Sequence, residues 1–508
     1  MFRALHVRIT NRARWESSTV KVLGVIEIIL GVILSASAVI ALLYDEDPMM
    51  FVYPVPILLI LGTLQYTFFR NGETLRPAGG MMMMFTAWWL AFFVSAVPFC
   101  LYGFSFTDSL FEGVSGFTTT GVTIMDGASI PYSLLFWRAL IQWAGGIAVV
   151  LIFLFLIPMM GIGGKAFVNN EFAGSVTYNF SMRIKSAARN FISIYVLLSA
   201  AEVVLLVISG MGPFDAVTTM FSTISTGGFA AGGNSVAGQS FVIQVIVLAF
   251  MFLGGTNFYL HYRALKKREF AAYKKSQEFA WTVIWFLLAT AAIIVILLIS
   301  AGNIADIDIG NTIWDTLFTV VSMGTTTGYV IADQSMWPFA AYVIMWMVML
   351  FGSMSGSTSG GIKIYRLLIL RSYVSNGIYK MFHPRSVRDV RVDGHSVDMD
   401  AVVSATVVIM MFIVALIVSM IFLLVSEPWM TVSESAGLSI SAISNTGINT
   451  GGVDVRDLSD VTRMFLSFMM WVGRLEVVLA LLLFTRTFWV DLISDLRGTL
   501  QTAGKGRN

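Results

Sequence analysis

The chain has 508 residues, 57% of them hydrophobic and 12% charged. A soluble protein of this length could not hide so much apolar surface, so the composition excludes a soluble globular domain and indicates a polytopic membrane protein. The net charge of +2 says little by itself, and the lone cysteine, Cys100, excludes an internal disulfide or a thiolate metal cluster.

The first twenty or so residues are mostly polar and carry Arg3, Arg8, Arg12 and Arg14. This lead is too long and charged for a cleaved signal peptide, so the first span is read as retained. Apolar runs long enough to cross a bilayer follow at 20–44, 51–69, 81–102, 134–158, 189–209, 239–260, 281–300, 337–370, 401–425 and 462–485. Between spans three and four, five and six, seven and eight, and nine and ten lies a shorter apolar segment. Each ends in a polar, glycine-centred stretch: "GFTTTGVT" at 116–123, "STGGFA" at 225–230, "TTTGYV" at 325–330 and "SNTGIN" at 444–449. Segments of that length read as re-entrant half-helices.

Lysine and arginine set the orientation. Arg70 and Arg76 follow span two. Lys165, Arg183 and Lys185 lie in the 159–188 loop. Arg263, Lys266, Lys267, Arg268, Lys274 and Lys275 lie in the 261–278 loop, and Arg371, Lys380, Arg385, Arg388 and Arg391 follow span eight. The alternate loops are acidic or neutral, with Asp45, Glu46 and Asp47 in one and Asp306 and Asp308 in another. Both termini are therefore expected in the cytoplasm, with the four glycine stretches opening outside.

Aligned on Gly121, Gly228, Gly328 and Gly447, the stretches are 107, 100 and 119 residues apart. Thirteen positions before each glycine stands an acid: Asp108, Asp215, Asp315 and Glu434. Six before stands Ser115, Ser222, Ser322 or Ser441, and three before stands a hydroxyl, Thr118, Ser225, Thr325 or Ser444. Three further matches to one chosen acid have a chance probability on the order of 10⁻⁴, so the chain carries an internal fourfold repeat. An acid there is expected to cap a short helix whose negative C-terminal end points into the membrane and favours a cation. The extended backbone beyond it must line an enclosed wet cavity. Each repeat holds two full crossings, so the four copies share one orientation about an axis along the membrane normal. Four carbonyl rings on that axis can replace a cation's water shell, as in potassium-channel filters. The predicted ion-binding residues are Thr119, Thr120 and Gly121; Thr226, Gly227 and Gly228; Thr326, Thr327 and Gly328; and Asn445, Thr446 and Gly447.

With "FWRALIQWAGG" opening span four, "GSMSGSTSGG" in span eight and "GRLEVV" in span ten, these stretches resemble the Trk/Ktr/HKT superfamily of cation transporters, and within it the TrkH-type potassium uptake subunits. The resemblance covers nearly the whole chain. It implies an all-α polytopic membrane protein of ten transmembrane helices and four re-entrant pore helices, in four parallel helix–pore loop–helix repeats around a central pore. Residues 1–80 would be an extra N-terminal helix pair, and 81–165, 166–270, 271–385 and 386–508 the four pore repeats. It also implies K⁺ as the transported ion, a homodimer in the cell membrane, and control by a cytoplasmic TrkA-like nucleotide-binding subunit. No organic cofactor and no nucleic-acid partner is expected. Two departures break strict symmetry: Gly227 replaces a threonine of the first and third stretches, and Asn445 replaces one in the fourth. In the resembling family, serine at the first glycine position goes with sodium transport.

The run at 352–361 has four glycines and four serines and cannot be a comfortable helix. Its freed backbone must face a polar cavity. In the resembling family this loop is a gate, which assigns Gly352, Ser353, Ser355, Gly356, Ser357, Ser359, Gly360 and Gly361 to it. Arg474, near the centre of span ten, is costly there and is expected to face the interior as a barrier to cations, with its guanidinium bonding the loop's free carbonyls. Glu476 points elsewhere on a helix. Glu202, mid-membrane in span five, could pair with Arg474 or Arg138. Glu27 serves helix packing. A secondary transporter of another solute would show inverted repeats and paired broken helices, whereas here the repeats are parallel and span eight alone is expected to be heavily broken. All four histidines (His6, His261, His383, His395) lie in or beside cytoplasmic segments, and no H-E-x-x-H, G-x-S-x-G or C-x-x-C occurs. No enzyme is therefore expected. Passive flow and coupling to H⁺ or Na⁺, as in a symporter, both remain open, as does Na⁺ permeation.

Overall fold

The computed structural model describes residues 14–69, 77–125, 127, 129–159, 180–230, 236–300, 308–334, 337–448 and 452–475, and then 477, 480, 483, 485–486 and 488–490. The predicted charges Arg3, Arg8, Arg12, Arg70, Arg76, Lys165, Asp306 and Glu476 lie outside the described residues. The chain forms two compact units, one of residues 1–114, 130–137 and 478–508, the other of 115–129 and 138–477.

In the first unit α1 (Arg14–Leu43) packs on α2 (Pro54–Phe68) and α3 (Pro77–Tyr102). Gly24 and Gly62 let α1 and α2 approach closely, because a Cβ on either would meet the other's carbonyl. Gln65 Nε2 donates to Glu27 Oε1 at 3.0 Å across the same seam. Glu27 thus serves helix packing.

The other helices are α4 (Phe106–Phe117), α5 (Tyr132–Met159), α6 (Phe180–Ile208), α7 (Pro213–Ile224), α8 (Phe241–Gly254), α9 (Phe258–Leu265), α10 (Gln277–Ser300), α11 (Ile309–Gly324), α12 (Phe339–Phe351) and α13 (Ile364–Phe382). A two-stranded hairpin follows, β1 (Arg391–Val392) with β2 (His395–Ser396), then α14 (Met399–Ser426), α15 (Val432–Ser444) and α16 (Asp460–Arg474). The first nine predicted apolar runs fall on helix, apart from breaks within the sixth and eighth, and the tenth is helical as far as Arg474 among the described residues. Among the described residues seven helices can cross a membrane unbroken, and α8 with α9 makes a further span bent by 103°.

That bend corrects the expectation that span eight alone is heavily broken. Gly254 and Gly255 end α8, and the Asn257 side chain accepts from Tyr259 N to cap α9. Span eight is interrupted between α12 and α13, as expected. In span ten the helix stops at Arg474, which therefore sits at a helix end and not mid-helix.

Polarity in the second unit is inverted relative to a soluble protein. Ser222, Ser225, Thr226, Thr326, Ser441 and Thr446 are fully buried, while Ile208, Ile299 and Val425 lie at least three-quarters exposed. Outward apolar faces suit hydrocarbon, and buried hydroxyls mark the functional interior.

Candidate functional site

The short helices α4, α7, α11 and α15 each end at one of the four glycine stretches. The acid thirteen positions before each glycine is not the N-cap residue itself: Asp108, Asp215 and Glu434 lie in the first turn, and only Asp315 departs from the expected helix start. At α15 Thr431 is the N-cap and Glu434 closes a capping box from the third helical position, and Asp215 holds the same first-turn position in α7. At α11 the helix starts earlier. Asp308 accepts from Gly310 N and Asn311 N, and Asp315 lies a turn further in. The C-terminal ends of all four helices are intact, so their negative ends converge on the stretches.

The backbone beyond is not simply extended. Thr119, Thr226, Thr326 and Asn445 have φ of 54°, 54°, 55° and 56°, and Gly121, Gly228, Gly328 and Gly447 have φ of 85°, 75°, 84° and 82°. Each stretch therefore has a left-handed residue at the glycine and another two positions before it. The serine six before the glycine holds this turn. Its carbonyl accepts from Thr120 N, Gly227 N, Thr327 N and Thr446 N at 2.8–3.0 Å in the four copies. Its hydroxyl donates onward to Val122 O and Tyr329 O in the first and third. The hydroxyl three before the glycine meets the one two residues on, at 2.7–2.8 Å, in Thr118–Thr120, Thr325–Thr327 and Ser444–Thr446.

The four stretches close on one another in order. A Cβ at Gly121 would collide with the Gly227 carbonyl oxygen, one at Gly228 with Thr327 O, one at Gly328 with Thr446 O, and one at Gly447 with Thr120 O. Each glycine thus abuts the carbonyl of the residue preceding the next glycine, and the fourth copy returns to the first. Only a residue with no side chain permits that approach at positive φ.

Both departures from symmetry have a partner in the structure. Where the second stretch lacks a side chain at Gly227, Gln142 of α5 fills the space. Its Nε2 donates to Gly227 O at 2.7 Å and its Oε1 accepts from Phe229 N at 3.1 Å. Asn445 Nδ2 donates to Thr120 Oγ1 at 2.9 Å and Met470 O at 2.8 Å, joining the fourth stretch to the first and to α16.

Residues 58–489 match the model of the TrkH family, described as a cation transport protein. The chain belongs to the TrkH family. The Trk system potassium uptake protein TrkH of Salmonella typhimurium is 30% identical over 83% of this chain and 88% of its own length. The protein of the same name from Vibrio parahaemolyticus is 29% identical over 93% and 99%. The crystal structure of the potassium transporter TrkH from Vibrio parahaemolyticus superposes with a TM-score of 0.84, at 27% identity, over 93% of this chain and 99% of that one.

In this TrkH-family chain the 352–361 run is a closed loop. Ile362 N donates to Leu350 O and Ile364 N to Ser353 O at its neck, and Ser353 Oγ donates to Gly360 O. It is docked against the pore-helix ends. Thr358 Oγ1 donates to Ile224 O and Gly254 O at 3.1 and 3.0 Å, Phe258 N donates to Gly356 O, and Gly360 N donates to Thr326 Oγ1 at 2.8 Å. A Cβ at Gly360 would collide with Ser444 O. The loop therefore touches the second, third and fourth stretches.

Arg474 is buried, but its guanidinium makes no hydrogen bond to the loop among the described residues. The expectation that it bonds the loop carbonyls is corrected. Lys363, which drew no attention in the sequence, does so, with Nζ donating to Ser359 O at 2.5 Å and Gly360 O at 3.5 Å. Among the described residues Glu202 forms no salt bridge with Arg474.

A second fourfold pattern went unread. A Cβ at Gly145, Gly254, Gly352 or Gly473 would meet the carbonyl of Phe117, Ile224, Gly324 or Ile443, the residue four before each stretch's glycine. The residues next in sequence are Gly146, Gly255, Ser353 and Arg474. Arg474 therefore takes, in the fourth copy, a position held by small residues in the others. The glycines lie 24 or 26 residues after their stretch, a spacing visible in the sequence.

Proposed function

We propose that this chain is the potassium-translocating subunit of a Trk-type uptake system in the cell membrane, with both termini in the cytoplasm. The observation that carries the reading is the closed ring of four glycine stretches, each with its helix C-terminus directed at it. Carbonyls of Thr119, Thr120, Gly121 and their counterparts bind dehydrated K⁺ along the axis of four parallel repeats. The 352–361 loop, docked on three of the four stretches, is the closure, and Arg474, next to the glycine seated on Ile443 O, is a fixed positive barrier. The chain is not an enzyme. In this reading it works as a homodimer and answers to a cytoplasmic nucleotide-binding partner of the TrkA kind; the Trk-system names of its relatives support only that a system of more than one component is involved.

Coupling to protons has one observation in its favour. Glu202 is fully buried within α6, and an intramembrane acid without a salt bridge is a candidate proton site. The test is reconstitution into liposomes with a K⁺ gradient, with and without a proton or Na⁺ gradient. K⁺ and Rb⁺ flux exceeding Na⁺ flux, raised by deleting 354–359, is expected. Equal Na⁺ and K⁺ flux would defeat the filter, and unchanged flux in a folded deletion would defeat the closure. A flux that follows an imposed proton gradient would establish coupling.

A further inference from the structure

The loop at 352–361 has two limbs, and they are held differently. The second limb rests on neutral hydroxyl and backbone bonds to the pore-helix ends. Lys363 braces this limb, but it belongs to the loop's own neck and so sets the loop's shape, not its place. The first limb is tied by a carboxylate from another helix. Glu278, the second residue of α10, accepts from Ser355 N at 2.6 Å and from Tyr365 N at 3.2 Å, both through Oε1.

An acid at a helix start ordinarily caps its own helix. Glu278 instead reaches residues 77 and 87 positions away and is 5% exposed. Its helix start has another cap, because Gln277 N donates to Asp393 Oδ1 at 2.6 Å in the turn between β1 and β2. The Glu278 side chain is thereby left for the loop. One oxygen serves both the first limb of the loop and an N-terminal N–H of α13, the helix into which the loop runs.

We propose that Glu278 is a positioning residue for ion passage: its carboxylate locks the first limb of the 352–363 segment to the start of α13, and losing that lock frees the loop. The inference rests on the reading of the loop as the closure. One Glu278 oxygen takes a backbone N–H from the loop and another from α13, so a single side chain of α10 joins the two.

Full-length protein in liposomes, with no cytoplasmic partner, is assayed for Rb⁺ uptake as wild type, Glu278→Ala and Glu278→Gln. The amide of Gln keeps an oxygen acceptor of the same reach. Glu278→Ala is expected to raise flux about tenfold, the ratio for roughly 1.4 kcal/mol, and Glu278→Gln to stay close to wild type. In a Cys100→Ser, Ser357→Cys background, Glu278→Ala is expected to speed labelling of the new thiol by a charged thiosulfonate. A folded Glu278→Ala protein with wild-type flux and labelling overturns the proposal. Should that variant fail to fold, Ser355→Pro removes the donor and leaves the acid in place. Raised flux then supports the proposal and wild-type flux overturns it. Flux that rises on deleting 354–359 but not in these variants sinks this inference alone. No rise in either removes the closure reading itself.

Discussion

Thr119, Thr226 and Thr326 hold a left-handed backbone, which costs a β-branched residue about 1–3 kcal/mol each. The surrounding hydrogen bonds impose it. Asn445 takes the same conformation with less strain and uses its amide to bridge two copies. This is why the fourth stretch can differ without leaving the ring. Gly121→Ser would place a side chain against the Gly227 carbonyl at positive φ. That carbonyl must move, and the preference for Rb⁺ over Na⁺ is expected to fall in competition uptake. An unchanged preference would show that this carbonyl does not set selectivity. Gln142→Ala would leave Gly227 O and Phe229 N without their side-chain partner, at about 1–3 kcal/mol. Gly227→Thr alone collides with Gln142. Combined with Gln142→Ala it is expected to recover thermal stability beyond the sum of the single changes, a coupling read from a double-mutant cycle.

At the scale of elements, the broken spans share one contact, which does not break a helix by itself, because Gly145 makes it within the continuous α5. Gly254, Gly352 and Gly473 bring the span against the carbonyl ending a pore helix, and the helix stops at or beside the contact. A side chain there would drive the pore helix off its seat. The connection from α14 to α16 depends on Glu427, which accepts from Ser459 N, Thr462 Oγ1 and Trp429 Nε1 at 2.7–3.0 Å. Burial pushes its carboxyl up, but these bonds outweigh burial and hold it below the ordinary value of 4.5. A depressed folded value stabilises fully above the ordinary glutamate range, and that share is lost as pH falls through it. Resistance to thermal unfolding in detergent is therefore expected to fall below about pH 4.5. Glu427→Gln should melt lower at neutral pH, by about 1–2 kcal/mol, and show a flatter acid limb. An identical acid limb in the variant would place the titration elsewhere.

At the scale of the whole molecule, one chain supplies all four copies, so each can diverge to a separate task. Arg474 is the clearest case, because its counterparts Gly146, Gly255 and Ser353 are small and uncharged. Among the described residues the Arg474 guanidinium has no hydrogen-bond partner, and it forms no salt bridge with Glu202. Arg474→Ala is expected to raise cation flux, because repulsion at low local dielectric is removed, and to keep thermal stability near wild type. Glu202→Gln is expected to give the Arg474→Ala protein no added stability. A poorly folded single mutant rescued by Glu202→Gln would restore the pairing explanation. A stable Arg474→Ala protein with unaltered flux would defeat both.

Hydropathy, the spacing of Gly121, Gly228, Gly328 and Gly447, and the serines six positions before them were legible from the residues alone. These features are local or periodic, and four copies in one chain supply their own comparison. The bend after Gly254 was also written there, as a glycine pair followed by a capping asparagine, but the length of the apolar run concealed it. Only the tertiary structure decided which carbonyl each glycine of the expected ring meets, that Gln142 fills the gap at Gly227, that Asp308 takes over from Asp315, and that Glu278 and Lys363 hold the loop. Each of these pairs joins different elements or depends on where a helix starts. No periodicity encodes such contacts, because they are set by backbones approaching until one side chain's absence is another's space.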